Sequence, residues 1–263
     1  MNEKDIFSDV KELVLETGLF IRDEIQKIKA KDIELKGIND FVTYVDKYSE
    51  RKIVEGLIGI LSESGFITEE QTINKKGERY NWIIDPLDGT TNYVHGAPPY
   101  SISIALTDNE EIVLGVVYEI TLNELFYTWR GEYAYLNDKR IEVSRTGTVR
   151  ESLIATGFPY NDYNLLKKYL NLLEYFLRNS HGIRRLGSAA TDLSYVACGR
   201  YDTFYEYSLN AWDVAAGAFI VQQAGGKVCD FNGGNNWLYG NEIIASNNLM
   251  FDEFRNIVKR FMK

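Results

Sequence analysis

The run "WIIDPLDGTTNYVHG", residues 82–96, closes an apolar stretch with two aspartates three residues apart, Asp85 and Asp88. Pro86 lies between them and Gly89, Thr90 and Thr91 follow. Asp85 falls where a buried strand would emerge, and Pro86 has no N–H to give a ladder, so the strand is expected to stop there and the chain to turn. A turn through Pro86 and Leu87 brings both carboxylates to one side, with the Leu87 carbonyl pointing at them. Carboxylates crowded in this way repel unless one takes a proton or a cation lies between them. A hard divalent ion with oxygen ligands, Mg²⁺ first, suits them better than zinc, because no His or Cys lies close in sequence. A Gly followed by Thr at a chain reversal is also how a helix start turns backbone N–H groups toward an anion. A cation site beside an anion cradle points to phosphoryl chemistry.

Those residues need elements to hold them. Ile6, Val10, Leu13, Thr17, Ile21, Ile25 and Ile28 recur every three or four positions, the spacing of an amphipathic helix. Val45, Ile53, Leu57, Ile60 and Leu61 make a second helical pattern. Between the two, "KGINDF" carries turn residues, and Thr43 with Asp46 three later matches a capping box, which gives Asp46 a structural use. From Tyr80 short β-rich runs take over: "WII", "SISIAL", "IVLGVVY" and "ELFYTW", then "LNDKRIEV" as a turn entering a further strand. After "SLIATGF" helices are expected near 165–177 and 189–197, then the strand "DTFYE" and a helix over about 212–223. The strands "KVCD" and "EIIASN" and a closing helix holding Phe251, Phe254, Ile257, Val258 and Phe261 complete the chain. Helices stacked on more than one sheet predict a layered α/β fold. No fixed-period repeat and no linker interrupts it, so one domain is expected over 1–263, with lobes of about 1–145 and 146–263.

With 45% apolar and 25% charged residues among 263, the chain can bury a sizeable core. A net charge of −9 argues against nucleic acid or an anionic membrane as a partner, so a phosphate site must bring its own local positive charge. The start, "MNEKDIFSDVKEL", lacks a basic region followed by an apolar one, and no apolar run reaches membrane-spanning length. Cys198 and Cys229 have no metal-ligand spacing and read as reduced thiols of a cytoplasmic protein.

"DPLDGTTNYVHG" together with "AWDVAAGAFIVQQAGG", residues 211–226, resembles the inositol monophosphatase family of Mg²⁺-dependent, lithium-sensitive phosphatases. "LKGINDFVTYVD", "GFITEE", "ATGFPY" and "HGIRRLGSAATDLSYVACGRYDTFYE" follow in family order, so the resemblance covers nearly the whole chain. It implies a five-layer αβαβα sandwich, a homodimer, and hydrolysis of a small phosphomonoester, myo-inositol monophosphate first, with two or three Mg²⁺ per site. Fructose 1,6-bisphosphate, NADP and 3′-phosphoadenosine 5′-phosphate are the alternative esters, because related enzymes with a loop as compact as "QTINKKGERY" accept wider substrates.

Carried over by position, the resemblance gives Glu69, Asp85, the Leu87 carbonyl, Asp88 and Asp213 as metal ligands. Thr90, hydrogen-bonded to Asp46, would activate the attacking water with Glu69, and the amides of Gly89 and Thr90 would bind the phosphate. Asp88, Ser188, Ala189 and Glu206 would contact the polyol. Taken alone, Asp213 suits a helix's first turn and Glu206 a strand end in solvent. His95 and His181 need no catalytic role, because a cation can activate the water. Thr68 replaces a family glycine before the metal glutamate, which is expected to stiffen that loop, and Lys36 falls near a mobile family loop. A bacterial relative also binds the transcription machinery. Arg184 and Arg185 lie in the region it uses, although a solvated or dimer-interface surface is the preferred reading for them.

Overall fold

The computed structural model describes residues 2–28, 33–37, 40–73, 75–160 and 162–263. Helix α1 (Glu3–Glu24) starts at Asn2, whose side chain accepts from the Lys4 amide, and buries Ile6, Val10, Val14 and Ile21. A hairpin of β1 (Ile33–Gly37) and β2 (Asp40–Thr43) leads into α2 (Tyr44–Ile60). The capping box is present: the Thr43 amide and hydroxyl donate to Asp46 at 2.8 and 2.6 Å. The turn expected within "KGINDF" includes residues 38–39, which lie outside the described residues, as does the side chain of Lys36.

Strands β3 (Gly65–Thr68) and β4 (Tyr80–Asp88) precede the short helix α3 (Thr90–Val94). The sheet continues with β5 (Ser101–Asp108), β6 (Glu111–Glu119), β7 (Glu124–Trp129), β8 (Tyr135–Leu136) and β9 (Lys139–Arg140). These seven strands lie in chain order, β3 parallel to β4 and the rest antiparallel. The turn in "LNDKRIEV" is made by Asn137 and Asp138, both at positive φ, as a tight hairpin requires. The strand after it is shorter than expected, because Val143 gives its amide to the Ala224 carbonyl.

The rest of the chain gives β10 (Leu153–Thr156), α4 (Leu166–Asn179), β11 (Gly182–Arg184), α5 (Ala189–Ala197) and β12 (Thr203–Tyr207). It ends with α6 (Ala211–Gln223), β13 (Lys227–Cys229), β14 (Glu242–Ser246) and α7 (Phe251–Met262). Its five strands pair in the order β11-β10-β12-β14-β13.

Three cores join five layers, the middle core covering both sides of its helix layer. The first packs α1 and α2 on the seven-stranded sheet through residues such as Val14, Leu57 and Ile104. The second surrounds α5 and α6 between the sheets, and the third packs α4 and α7 on the outer face of the five-stranded sheet. This is the αβαβα sandwich. Helix α6 is apolar on every side because sheet lies on both sides of it, and residues 214–221 are all buried. Strand β5 is buried along its whole length for the same reason, which removes the polar alternation of a one-faced strand. Among the described residues no helix is long and apolar enough to cross a membrane, and both cysteines are free.

Candidate active site

Strand β4 does not end at Asp85 as its proline predicts; it runs through Pro86 to Asp88. The cost of Pro86 is met by a bulge. Asp85 lies opposite Ser103 and Asp88 opposite Ser101, so three steps on β4 match two on β5. In a regular strand residues three apart face opposite sides, and one extra residue reverses that parity. The bulge therefore turns both carboxylates the same way.

Asp213 meets them from the first turn of α6, with its Oδ2 accepting from the Asn210 amide at 2.6 Å. One oxygen each of Asp85, Asp88 and Asp213 lie within 4.8 Å of one another. Among the described residues no other group of three His, Cys, Asp or Glu side chains is so close. Burial, then Glu69, Asp88 and Asp213, push Asp85 well above the usual carboxylate range, and burial with Asp88 does the same to Asp213. Burial raises Asp88 to about 6, held from going higher by Ser188, the α5 amides and Arg185. An all-oxygen cluster with this much unshared negative charge fits a hard divalent cation.

Glu69 follows β3 outside that trio, close enough to hydrogen-bond Asp85. Its loop is held by a residue the sequence reading missed. Glu50, fully buried on α2, accepts from the Thr68 and Thr72 hydroxyls and the Glu70 and Thr72 amides at 2.7–2.9 Å. Thr68 thus stiffens the loop through a specific bond that glycine could not make.

Thr90 opens α3 behind Gly89, whose φ of 97° a side chain would strain. The Thr90 Oγ1 lies 2.9 Å from Asp46 Oδ1 and 3.1 Å from the Leu87 carbonyl oxygen. Asp46 is fully buried, and burial raises its proton affinity against the bonds from Thr43 and Thr90. Leu87, Gly89 and Thr90 line a cleft of about 90 Å³ with Glu69, Asp85, Asp88 and Asp213, while Asp46 is buried behind Thr90. A larger hollow, about 1000 Å³, lies along Phe66, Asn81, Gln222 and Trp237, at the opposite end of β3 and β4. The convergence of acids, not size, singles out the smaller one.

Ser188 and Ala189, expected against the substrate, are buried and engaged with Asp88. The Ser188 hydroxyl and the Ala190 amide donate to Asp88 Oδ2 at 2.6 and 2.8 Å, and the Ala189 amide also bonds it. Glu206 sits on β12 outside the cleft's lining, buried, and its carboxylate has no hydrogen bond among the described residues. Burial pushes it up to about 8 against the pull of Arg185. Arg185 lies on the cleft wall rather than on a remote surface, with its guanidinium 5.7 Å from the Phe158 ring centre. Asp192, also missed, is buried on α5 with Oδ1 lacking a partner, near Glu206 and Asp88. No local pattern marks Glu50, Arg185 or Asp192, because what makes each of them notable is a neighbour far along the chain.

The profile of the inositol monophosphatase family matches residues 3–259. The chain belongs to that family. A "Nus factor SuhB" from Pasteurella multocida is 39% identical over 247 residues, covering 94% of this chain and 90% of the relative. An "Inositol-1-monophosphatase" from Rhizobium meliloti is 38% identical over 248 residues, covering 94% and 93%. The solved Thermotoga maritima IMPase is 36% identical with a TM-score of 0.89, covering 99% of this chain and 98% of the other. Membership of the inositol monophosphatase family makes the chain a phosphoric monoester hydrolase of that kind.

Proposed function

We propose that the cleft hydrolyses a small phosphorylated polyol, myo-inositol monophosphate foremost, with two or three Mg²⁺ held by Glu69, Asp85, the Leu87 carbonyl, Asp88 and Asp213. The observation that carries this reading is the convergence of three buried carboxylates beside the Thr90–Asp46 pair. Bound Mg²⁺ supplies neutralisation of phosphate charge and a lowered pKa for water. The amides of Gly89 and Thr90, at the helix start where no intrahelical acceptor exists, take phosphate oxygens. With its hydrogen on Asp46, the Thr90 oxygen accepts from the attacking water and orients it. As the water oxygen bonds to phosphorus and the ester P–O bond breaks, the released proton passes toward Asp46, whose affinity burial has raised. The polyol oxygen leaves and takes up a proton from solvent. Glu206 accepts from polyol hydroxyls, while Ser188 and Ala189 act on the substrate through Asp88.

Phosphate release from myo-inositol 1-phosphate, fructose 1,6-bisphosphate, NADP and 3′-phosphoadenosine 5′-phosphate, with and without Mg²⁺, tests the reading. Mg²⁺-dependent release is expected to be fastest from the inositol ester. A different preferred ester would keep the chemistry and change the substrate; no release from any would overturn the proposal.

A homodimer is proposed across the outer face of α4. Leu170 and Leu177 are 49% and 63% exposed there, with Leu166 and Leu173 half-buried on the same stripe, and edge strand β11 lies beside them. A second reading, association with RNA polymerase, is favoured by the name of the Pasteurella relative. Sedimentation velocity on the chain alone and mixed with RNA polymerase tests both. A species of twice the chain mass that Leu177→Glu returns to the monomer is expected, and a monomer at every concentration would exclude the dimer. Failure to co-sediment would remove the polymerase reading. The free thiols are in keeping with the cytoplasm as the proposed location.

A further inference from the structure

What holds Glu206 is shape rather than hydrogen bonding. Strands β10 and β12 run parallel with Thr156 beside Tyr205, so Gly157, one step past the end of β10, comes alongside Glu206. Neighbours paired in this way point to the same face of a sheet. A Cβ on Gly157 would lie 2.0 Å from both carboxylate oxygens of Glu206 and 2.1 Å from its carboxyl carbon. The carboxylate therefore lies flat against the Gly157 Cα, in space that any other residue would fill. The backbone cannot yield easily. The phenol of Tyr169, fully buried on α4, donates to the Gly157 carbonyl at 2.8 Å, and the Thr156 hydroxyl ties β10 to the Tyr205 carbonyl at 2.8 Å. Gly157 does not have a positive φ, so the position demands room and not a special backbone conformation.

We infer that Gly157 is a positioning residue for substrate recognition. It forms the seat that keeps both oxygens of Glu206 unbonded and in place to accept from adjacent hydroxyls of the polyol ester. The inference rests on the proposed role of Glu206. A side chain at 157 must displace the carboxylate by about 1 Å or more, and a misplacement of that size can cost about 10²-fold.

The test compares myo-inositol 1-phosphate with 4-nitrophenyl phosphate, whose leaving group offers no aliphatic hydroxyl. In Gly157→Ala the ratio of kcat/KM for the inositol ester to that for the aryl ester is expected to fall by about 10- to 100-fold, mostly through KM, as when bonds to a charged group are lost. In a Glu206→Ala background, where the seat is empty, adding Gly157→Ala should move that ratio by less than about twofold, since the two act as one unit. A Gly157→Ala protein that folds only in that background, as followed by thermal unfolding, is the same steric result. Equal loss of both substrates, or the same effect in both backgrounds, would overturn the inference. If Glu206→Ala lowers the ratio and Gly157→Ala does not, the inference falls and the role of Glu206 stands. If Glu206→Ala leaves the ratio unmoved, both fall.

Discussion

Asp88→Asn is expected to lower Mg²⁺-dependent phosphate release by at least about 10³-fold and, in the metal-free protein at pH 8, to raise the unfolding temperature. The first effect follows from removing one charged member of the acid trio, worth several kcal/mol at tenfold per 1.36 kcal/mol. The second comes from the burial of that same charge. Burial lifts Asp88 from its ordinary 3.8 to about 6. Between those values the folded chain keeps a proton that the unfolded chain has lost. Wild-type stability therefore falls as pH rises through this window, and the whole loss is present above about pH 6. The gap corresponds to about 3 kcal/mol, or about 6–12 °C for a chain of this size. Asn has no charge to lose. Its carbonyl can keep the Ser188 and Ala190 bonds while its NH₂ faces the carboxylates of Asp85 and Asp213. Scanning calorimetry in chelator from pH 4 to 8 should show the gap between variant and wild type open with pH. Retained Mg²⁺-dependent turnover would take Asp88 out of the ligand set. A variant less stable at pH 8 would mean that Arg185 and α5 already compensate this carboxylate.

Asp46→Asn should lower kcat by about 10²- to 10⁴-fold, the usual worth of a positioned proton acceptor, while costing little stability. Asp46 has two separable duties, one on each oxygen. Oδ2 accepts both Thr43 donors and Oδ1 accepts from Thr90. An Asn that keeps its carbonyl on Thr43 preserves the cap but turns an NH₂ toward Thr90. The Thr90 hydroxyl must then donate to the Leu87 carbonyl, 3.1 Å away, and its oxygen is taken up by the amide instead of by water. Thr43→Ala makes the complementary change, losing about 1 kcal/mol of capping with the Asp46–Thr90 bond left in place. Steady-state kinetics and thermal unfolding on both variants separate the duties. Near wild-type kcat in Asp46→Asn would rule out the proton route through Thr90.

The helices of this protein were legible because their information is local. A three-to-four spacing marked α1 and α2, and the Thr43–Asp46 box lies within one helical turn. The residue types in "DPLDGTT" likewise pointed to paired acids beside a helix start, and the structure places Asp85 and Asp88 together just before α3. Strands of three to five residues such as β1, β2, β3 and β11 are too short for alternation to show.

Only tertiary structure decided how Asp85 and Asp88 come to face the same way, since their bulge is defined by the register against β5. It also decided that Ser188 serves Asp88 from 100 residues away, that Glu50 holds the Glu69 loop, and that Gly157 seats Glu206. Sequence by itself determined which chemical groups were available and which near neighbours they could bond. Which distant charges share one buried space, and therefore which of them form a cluster that a cation would fit, was set by the packing of two sheets around α5 and α6, because repulsion and desolvation depend on distance in space and exclusion of water rather than on separation along the chain.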